Sequence, residues 1–249
     1  MASGCIRRYT PSMPRHPTVL VVAAGTPGPK VRAAHGGFDR WFREGLSPAA
    51  QVRVVEPAAT RAAAREADGV VLTGSHASVT ERAPWMLELG EVLLEVAERV
   101  PVLGVCFGHQ LLGAALGGTV ERNPQGPEVG TREVTLTEAG RADPLLAGLP
   151  PRLAVQQLHE DHVRAPPPGA VLLATGAEAP VQAFARGPRL RAVQFHPEFT
   201  AGRVRALCDE ERAWVDTGGS GLYEEVMAGL RETPEANGLL ARWVERFVA

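Results

Sequence analysis

The continuously apolar, β-branched run Thr18 to Ala24 (TVLVVAA) most constrains the fold, and Val52 to Val55, Asp68 to Leu72 (DGVVL) and Pro101 to Val105 (PVLGV) read as three further short strands. A strand with one wet face alternates polar and apolar residues. An unbroken apolar run of this length fits a strand covered on both faces. Helical patterns intervene, over Phe38 to Gly45 with aromatics at helical spacing, over Pro84 to Arg99, and over His109 to Leu116. Gly25 to Gly37, rich in Gly and Pro, reads as a loop. Strand–helix alternation of this kind predicts an α/β fold with an open, mainly parallel sheet flanked by helices.

The middle of the chain changes character. Thr119 to Thr137, Leu153 to Leu158, Val171 to Thr175, Val181 to Ala185 and Leu190 to Phe195 are strand-like and separated by Gly/Pro turns, so we expect antiparallel strands added to the parallel core. After Glu198 the pattern is helical, with Gly218 to Gly221 as a break. The expected organisation is a mobile lead-in over 1–17, one catalytic-type domain over 18–200, and a helical extension over 201–249 packed on the same domain.

Composition excludes several classes. A net charge of −2 with both signs spread along the chain leaves no basic stripe for nucleic acid. No apolar run approaches the length of a membrane span. Met1 to Pro17 carries Arg7, Arg8 and Arg15 but no apolar h-region, so it is not a secretory signal. Cys5, Cys106 and Cys208 are an odd set at no metal-like spacing, which suits free thiols in a reducing cytoplasm. Cys5 and Cys208 have no partner motif and read as non-catalytic. Trp41, Trp85, Trp214 and Trp243 read as packing groups.

Chemistry concentrates in three places. Gly104-Val105-Cys106-Phe107-Gly108 joins a strand to a helix and matches a G-x-nucleophile-x-G turn, with Cys where α/β hydrolases carry Ser. Flanking glycines let backbone approach the cramped turn. The following helix points its positive end at the sulfur, favouring negative charge there. A buried structural Cys is the competing reading. Second, Gln194-Phe195-His196-Pro197-Glu198 follows the last strand-like run. A sulfur nucleophile needs a base, and the base needs an orienting group. In an extended segment His196 and Glu198 share a face, and Pro197 keeps His196 extended. A surface His and Glu at a strand end read the same way. Third, Thr73-Gly74-Ser75 ends the third strand. A tetrahedral oxyanion needs backbone N–H donors, and Phe107 with Gly74 can supply them, although Gly74 also reads as an ordinary loop glycine.

Together, GVCFGHQLLGAALGG (104–118) and QFHPEF (194–199), some ninety residues apart, resemble the class-I, triad-type glutamine amidotransferase domain over roughly 18–199. The resemblance implies a flavodoxin-like architecture. It also implies that Cys106 attacks the side-chain amide of L-glutamine, His196 shuttles the proton and Glu198 orients it. Gly74 and Phe107 would form the oxyanion hole, and Gln110 would contact substrate. NPQGPEVGT (123–131) and LHEDHV (158–163) are most similar to the glutaminase part of GMP synthetase and its free-standing relatives, which makes His159 a candidate glutamine contact. For His159-Glu160-Asp161-His162 a solvated turn and a metal site are the competing readings. No remote ligand pattern completes a metal site, so neither metal nor cofactor is expected.

Two departures stand out. The oxyanion strand of the family has consecutive glycines and a proline, whereas this chain has Thr73-Gly74-Ser75-His76. No P-loop or nucleotide fingerprint is present to activate an acceptor, so a synthetase partner protein or a bound acceptor molecule is expected. Other readings stay open: hydrolysis of another γ-glutamyl compound, or a non-catalytic regulatory relative. The cysteine chaperone- and peptidase-like α/β group usually has His after the nucleophile, where this chain has Phe107.

Overall fold

The structure is a computed structural model that describes residues 16–249. Most of the lead-in expected over 1–17, and Cys5 with it, lies outside the described residues. One nine-stranded sheet runs in the order β2-β1-β3-β4-β11-β10-β9-β6-β7. Its strands are β1 (Thr18–Val22), β2 (Gln51–Val55), β3 (Gly69–Leu72), β4 (Val102–Val105), β6 (Glu128–Leu136), β7 (Arg152–His159), β9 (Val171–Thr175), β10 (Ala183–Arg186) and β11 (Leu190–Val193). β5 (Val120–Arg122) and β8 (Asp161–Val163) form a separate antiparallel ribbon. The helices are α1 (Pro29–His35), α2 (Phe38–Leu46), α3 (Thr60–Ala63), α4 (Pro84–Ala97), α5 (Phe107–Ala115), α6 (Glu138–Ala142), α7 (Ala201–Glu210), α8 (Arg212–Val215), α9 (Leu222–Gly229), α10 (Pro234–Asn237) and α11 (Leu239–Trp243). None of the described helices is long and apolar enough to cross a membrane.

The apolar runs behave as their composition requires. Alternate residues of one strand enter opposite layers. Val19, Val21, Val71, Leu103 and Val193 pack with Phe42, Leu46, Leu240 and Trp243. Leu20, Val22, Val70, Leu72 and Val102 pack with Met86, Leu89, Leu93 and Leu112. A third cluster joins Val204, Leu207, Val215 and Val226 of the C-terminal helices to Val31, Phe38, Trp41, Val129 and Phe199.

Two expectations are corrected. The sequence pattern places Leu190 to Phe195 among the added antiparallel strands, but β11 runs parallel to β4. It is antiparallel only to β10. Because β3 also runs parallel to β4, the carboxyl ends of β3, β4 and β11 lie side by side at one edge of the sheet. The loop expected over Gly25 to Gly37 contains α1. Pro29 occupies its first turn, where a missing N–H costs nothing. The remaining free amides are capped from far away in the chain, since Glu210 accepts from Lys30 N at 3.0 Å and Val31 N at 3.1 Å. The C-terminal region is helical, as expected, with its break at 219–221. Trp41 and Trp243 are fully buried packing groups, whereas Trp85 is exposed and Trp214 lines a cleft.

Candidate active site

Cys106 sits between β4 and α5 with φ 52° and ψ −102°. A non-glycine residue there is strained by about 1–3 kcal/mol and persists only where its surroundings enforce it. The enforcement is visible. Cys106 N donates to Val193 O at 2.9 Å, and its carbonyl accepts from Gln110 N at 3.0 Å. Both flanking glycines are needed for space. A Cβ on Gly104 would lie 2.5 Å from Gly108 O, and one on Gly108 would lie 2.7 Å from Leu72 O. Both obstacles are backbone and cannot rotate away. Gly104→Ala is therefore expected to destabilise the fold by about 3 kcal/mol or more, read as a lowered midpoint in thermal or denaturant unfolding.

His196 leaves the end of β11, two strand positions beyond Gln194. Its N–H donates to Gln156 O at 2.9 Å. Its ring lies flat on Phe199, centroids 3.9 Å apart and planes within 2°. Nδ1 meets Glu198 Oε1 at 2.7 Å. Nε2 faces the Cys106 sulfur, whose thiol is turned toward Leu158 O at 3.9 Å, so Nε2 has no well-aligned hydrogen bond. His196 and Glu198 are both buried. Burial alone pulls the imidazole pKa down. The Glu198 carboxylate and the Cys106 sulfur outweigh it and raise the value to about 10. The proton therefore stays on the ring at neutral pH.

Gly74 follows β3, next to the same pair. A Cβ there would lie 3.0 Å from His196 Cε1 and 3.8 Å from Cys106 Cβ. Ser75 and the Thr73 side chain tie this turn to Ala24, through Ser75 Oγ to Ala24 O at 2.9 Å and Ala24 N to Thr73 Oγ1 at 3.1 Å. Phe107 is the first residue of α5, where backbone N–H groups have no intrahelical acceptor. The sulfur thus lies between a glycine turn and a helix N-terminus.

Cys106, His196, Gly74 and Gln110 open on a cleft of about 240 Å³ that also includes Phe38, His76, Leu158, His159, Glu211 and Trp214. Gln110 is held by its amide, which donates to Asp161 O at 2.7 Å and more weakly to Gln194 Oε1 at 3.4 Å. His109 holds Gln194 from behind, Nδ1 to Oε1 at 3.1 Å. Full burial, assisted by His159, lowers the His109 pKa to about 3, so this ring stays neutral. His159 lines the cleft: Nδ1 lies 3.0 Å from Asp161 O, and Nε2 lies 2.9 Å from Glu128 Oε2 without the alignment of a hydrogen bond. Gln182 supports Glu128 at 2.9 Å. The four ligand-type residues at 159–162 diverge. Glu160 pairs with Arg122, Asp161 accepts from Ser78, and His162 lies 3.7 Å from Glu121. The described residues hold no group of three or more His, Cys, Asp or Glu side chains arranged for a metal ion. Cys208 is buried in the third cluster, and burial raises its pKa to about 12.

Sequence reasoning missed the residues that hold this segment from outside. Asn237 Nδ2 donates to Pro197 O at 2.9 Å and Phe199 O at 2.7 Å. Arg203 Nη1 donates to Glu198 O at 2.7 Å. In the sequence Phe199 stands out only as part of the QFHPEF motif, and no local pattern marks Asn237.

A parallel sheet whose strand ends present a strained cysteine, a carboxylate-bound histidine and a glycine turn defines a thiol-dependent acyl-transfer type of site. The family model described as glutamine amidotransferase class-I matches residues 39–208. The chain therefore belongs to the class-I glutamine amidotransferase family of enzymes. It is similar to the GMP synthase [glutamine-hydrolyzing] of Aeropyrum pernix, 41% identical over 158 residues that make up 61% of this chain and 27% of that protein. It is also similar to gamma-glutamyl peptidase 3 of Arabidopsis thaliana, 32% identical over 136 residues, which cover 53% of this chain and 55% of the relative. A solved glutamine amidotransferase from Thermotoga maritima shares the fold at a TM-score of 0.71 and 23% identity, covering 94% of this chain and 99% of that one. The chain spans only about a quarter of the length of the GMP synthases it matches first.

Proposed function

We propose that the chain hydrolyses the side-chain amide of L-glutamine to glutamate and ammonia through a Cys106 thioester. The observation that carries this reading is the junction of Cys106, on its strained turn, with an imidazole fixed by Glu198 at 2.7 Å. Cys106 passes its thiol proton to a neutral His196, and the resulting thiolate attacks the amide carbon while the carbonyl oxygen takes negative charge facing Gly74 N and Phe107 N. The protonated His196 then gives its proton to the departing nitrogen, so ammonia leaves as the C–N bond breaks. Water enters, His196 takes one of its protons, hydroxide adds to the thioester carbon and the C–S bond breaks to release glutamate. A ring pKa of about 10 suits the first transfer, because the acid is loaded at neutral pH. Gln110 and His159 bound the side-chain pocket. His159 forms one wall of that pocket, its Nδ1 3.0 Å from Asp161 O.

The expected result is ammonia release from glutamine by the full chain, read by coupled glutamate detection, with slower release from γ-glutamyl amines. Turnover of the amines with none of glutamine would reject the reading in favour of γ-glutamyl hydrolysis, the activity named for the Arabidopsis relative. Ammonia is protonated and lost if released to solvent, so the reading includes a separate acceptor-bearing partner chain or an acceptor molecule near Cys106. Free, buried Cys106 and Cys208 suit a reducing, cytoplasmic setting. Co-purification from native extract tests the partner. A lone monomer with full glutaminase activity would count against it.

A further inference from the structure

The segment that carries His196 and Glu198 lies beyond the sheet ladder. β11 ends at Val193, and the backbone amides of Gln194 and His196 are the last to find strand carbonyls, Gln182 O at 2.8 Å and Gln156 O at 2.9 Å. The three carbonyls of 197–199 are taken by side chains instead. Pro197 O and Phe199 O both accept from Asn237 Nδ2, at 2.9 and 2.7 Å. Between them, Glu198 O accepts from Arg203 Nη1 at 2.7 Å. Only the nitrogen end of an amide can meet two carbonyls, one proton to each. Asn237 is half-buried in α10, and its own N–H donates to Thr233 O at 2.9 Å. Arg203 projects from α7, its guanidinium paired with Glu44 and lying over Trp41 at 5.0 Å. Neither residue lines the cleft.

The residues held in this way are those that fix the imidazole. Glu198 Oε1 meets its edge at 2.7 Å, and the Phe199 ring covers one face at 3.9 Å. A shift of the 197–199 backbone would carry both contacts with it and turn Nε2 away from the sulfur. The C-terminal segment that supplies Asn237 is itself tied to the same region. Arg231 O accepts from Gln156 Nε2 at 2.7 Å, Ala201 N donates to Glu232 Oε2 at 3.3 Å, and Ala236 is fully buried. We propose that Asn237 is a positioning residue for the reaction, with Arg203 as its counterpart. Together they lock the 197–199 backbone so that Glu198 and Phe199 aim the His196 ring at Cys106. The segment 231–237 then belongs to the catalytic apparatus and contributes more than packing. This inference rests on the amide-hydrolysis reading above and deepens it.

Asn237→Asp keeps the side chain's shape but has no N–H to give and sets a charge against two carbonyls. Asn237→Ala removes the contact outright. In both, kcat for glutamine should fall about tenfold to a hundredfold while KM stays within about twofold. Arg203→Met should show the same split. The ionisable groups facing His196 are Glu198 and Cys106. As Glu198 retreats from the ring, the alkaline limb of the pH–rate profile should move to lower pH. The NMR signal of the Nδ1 proton should move to higher field as its charge-assisted hydrogen bond lengthens. Alkylation of Cys106 by iodoacetamide at neutral pH should slow roughly tenfold, because the sulfur loses its proton acceptor. Val244→Ala is the control for stability alone. Val244 is buried just beyond α11, so its truncation should lower the unfolding midpoint and leave kcat, the alkaline limb and the alkylation rate unchanged. Asn237 variants that lose only thermal stability, or lose activity with the limb and the Nδ1 signal unmoved, would overturn the positioning role. If they do not fold, Arg203→Met decides by the same readings. If the unmodified chain releases no ammonia from glutamine, the hydrolysis reading fails, and the alkylation rate and the Nδ1 signal still decide the role of Asn237.

Discussion

Replacing Cys106 by alanine abolishes ammonia release from glutamine, with kcat falling by at least about 10⁴-fold, while the fold persists. In the proposed reaction the sulfur forms the thioester, and no other described thiol can replace it, since Cys208 is buried away from the cleft and burial raises its pKa to about 12. The same position carries an independent stability signature. With φ at 52° and ψ at −102°, any residue with a Cβ is strained there, whereas glycine is not. Cys106→Gly should therefore be more stable than Cys106→Ala by about 1 kcal/mol, the reverse of the usual order at a helix entry. Unfolding midpoints of the two inactive variants measure it. Full activity in the alanine variant would remove Cys106 from the mechanism, and an alanine variant more stable than the glycine one would contradict the strain.

The second large effect is expected for Glu198→Gln. The amide keeps the shape but loses the charge that overcomes burial at His196. The imidazole should titrate well below 10, and kcat should fall by about 10²–10⁴-fold. The pH consequence has a definite sign. The folded pKa of His196 is raised above its unfolded value of 6.5 to about 10, so the protonated ring binds its proton more tightly in the native state. The stability this contributes is fully present below pH 6.5 and is lost as pH rises through about 10. The difference in unfolding free energy between the parent chain and Glu198→Gln should therefore shrink across that window. Activity should also fall on the alkaline side near 10, where the acid that delivers the proton to ammonia is empty. Following the His196 ring proton by NMR checks the titration directly. An unchanged midpoint in Glu198→Gln would show that the carboxylate does not set it.

Much of this was legible in the residues because the physics is local. Continuous apolar strands reported a sheet covered on both faces, and Gly104 and Gly108 flanked a turn that no side chain could share. His196 and Glu198, two apart in an extended segment, had to point the same way. Gly74 reads more readily as a plain loop glycine in the sequence, and only the fold puts it where a Cβ would lie 3.0 Å from His196 Cε1. His159 was legible as a cleft residue, but its engagement with Glu128 depends on the pairing of β6 with β7.

What the sequence alone determined is therefore the set of candidate reacting groups and the kind of sheet that carries them, because backbone geometry over a few residues dictates both. Only the tertiary structure decided that β11 runs parallel to β4, which brings the histidine to the end of the sheet that holds the cysteine. It also decided that Glu210 caps α1, that Asn237 clamps the histidine segment, and that His76 meets Glu211 across the cleft. Each of these contacts joins residues far apart in the chain. Their energy depends on distance in space, which no local pattern encodes.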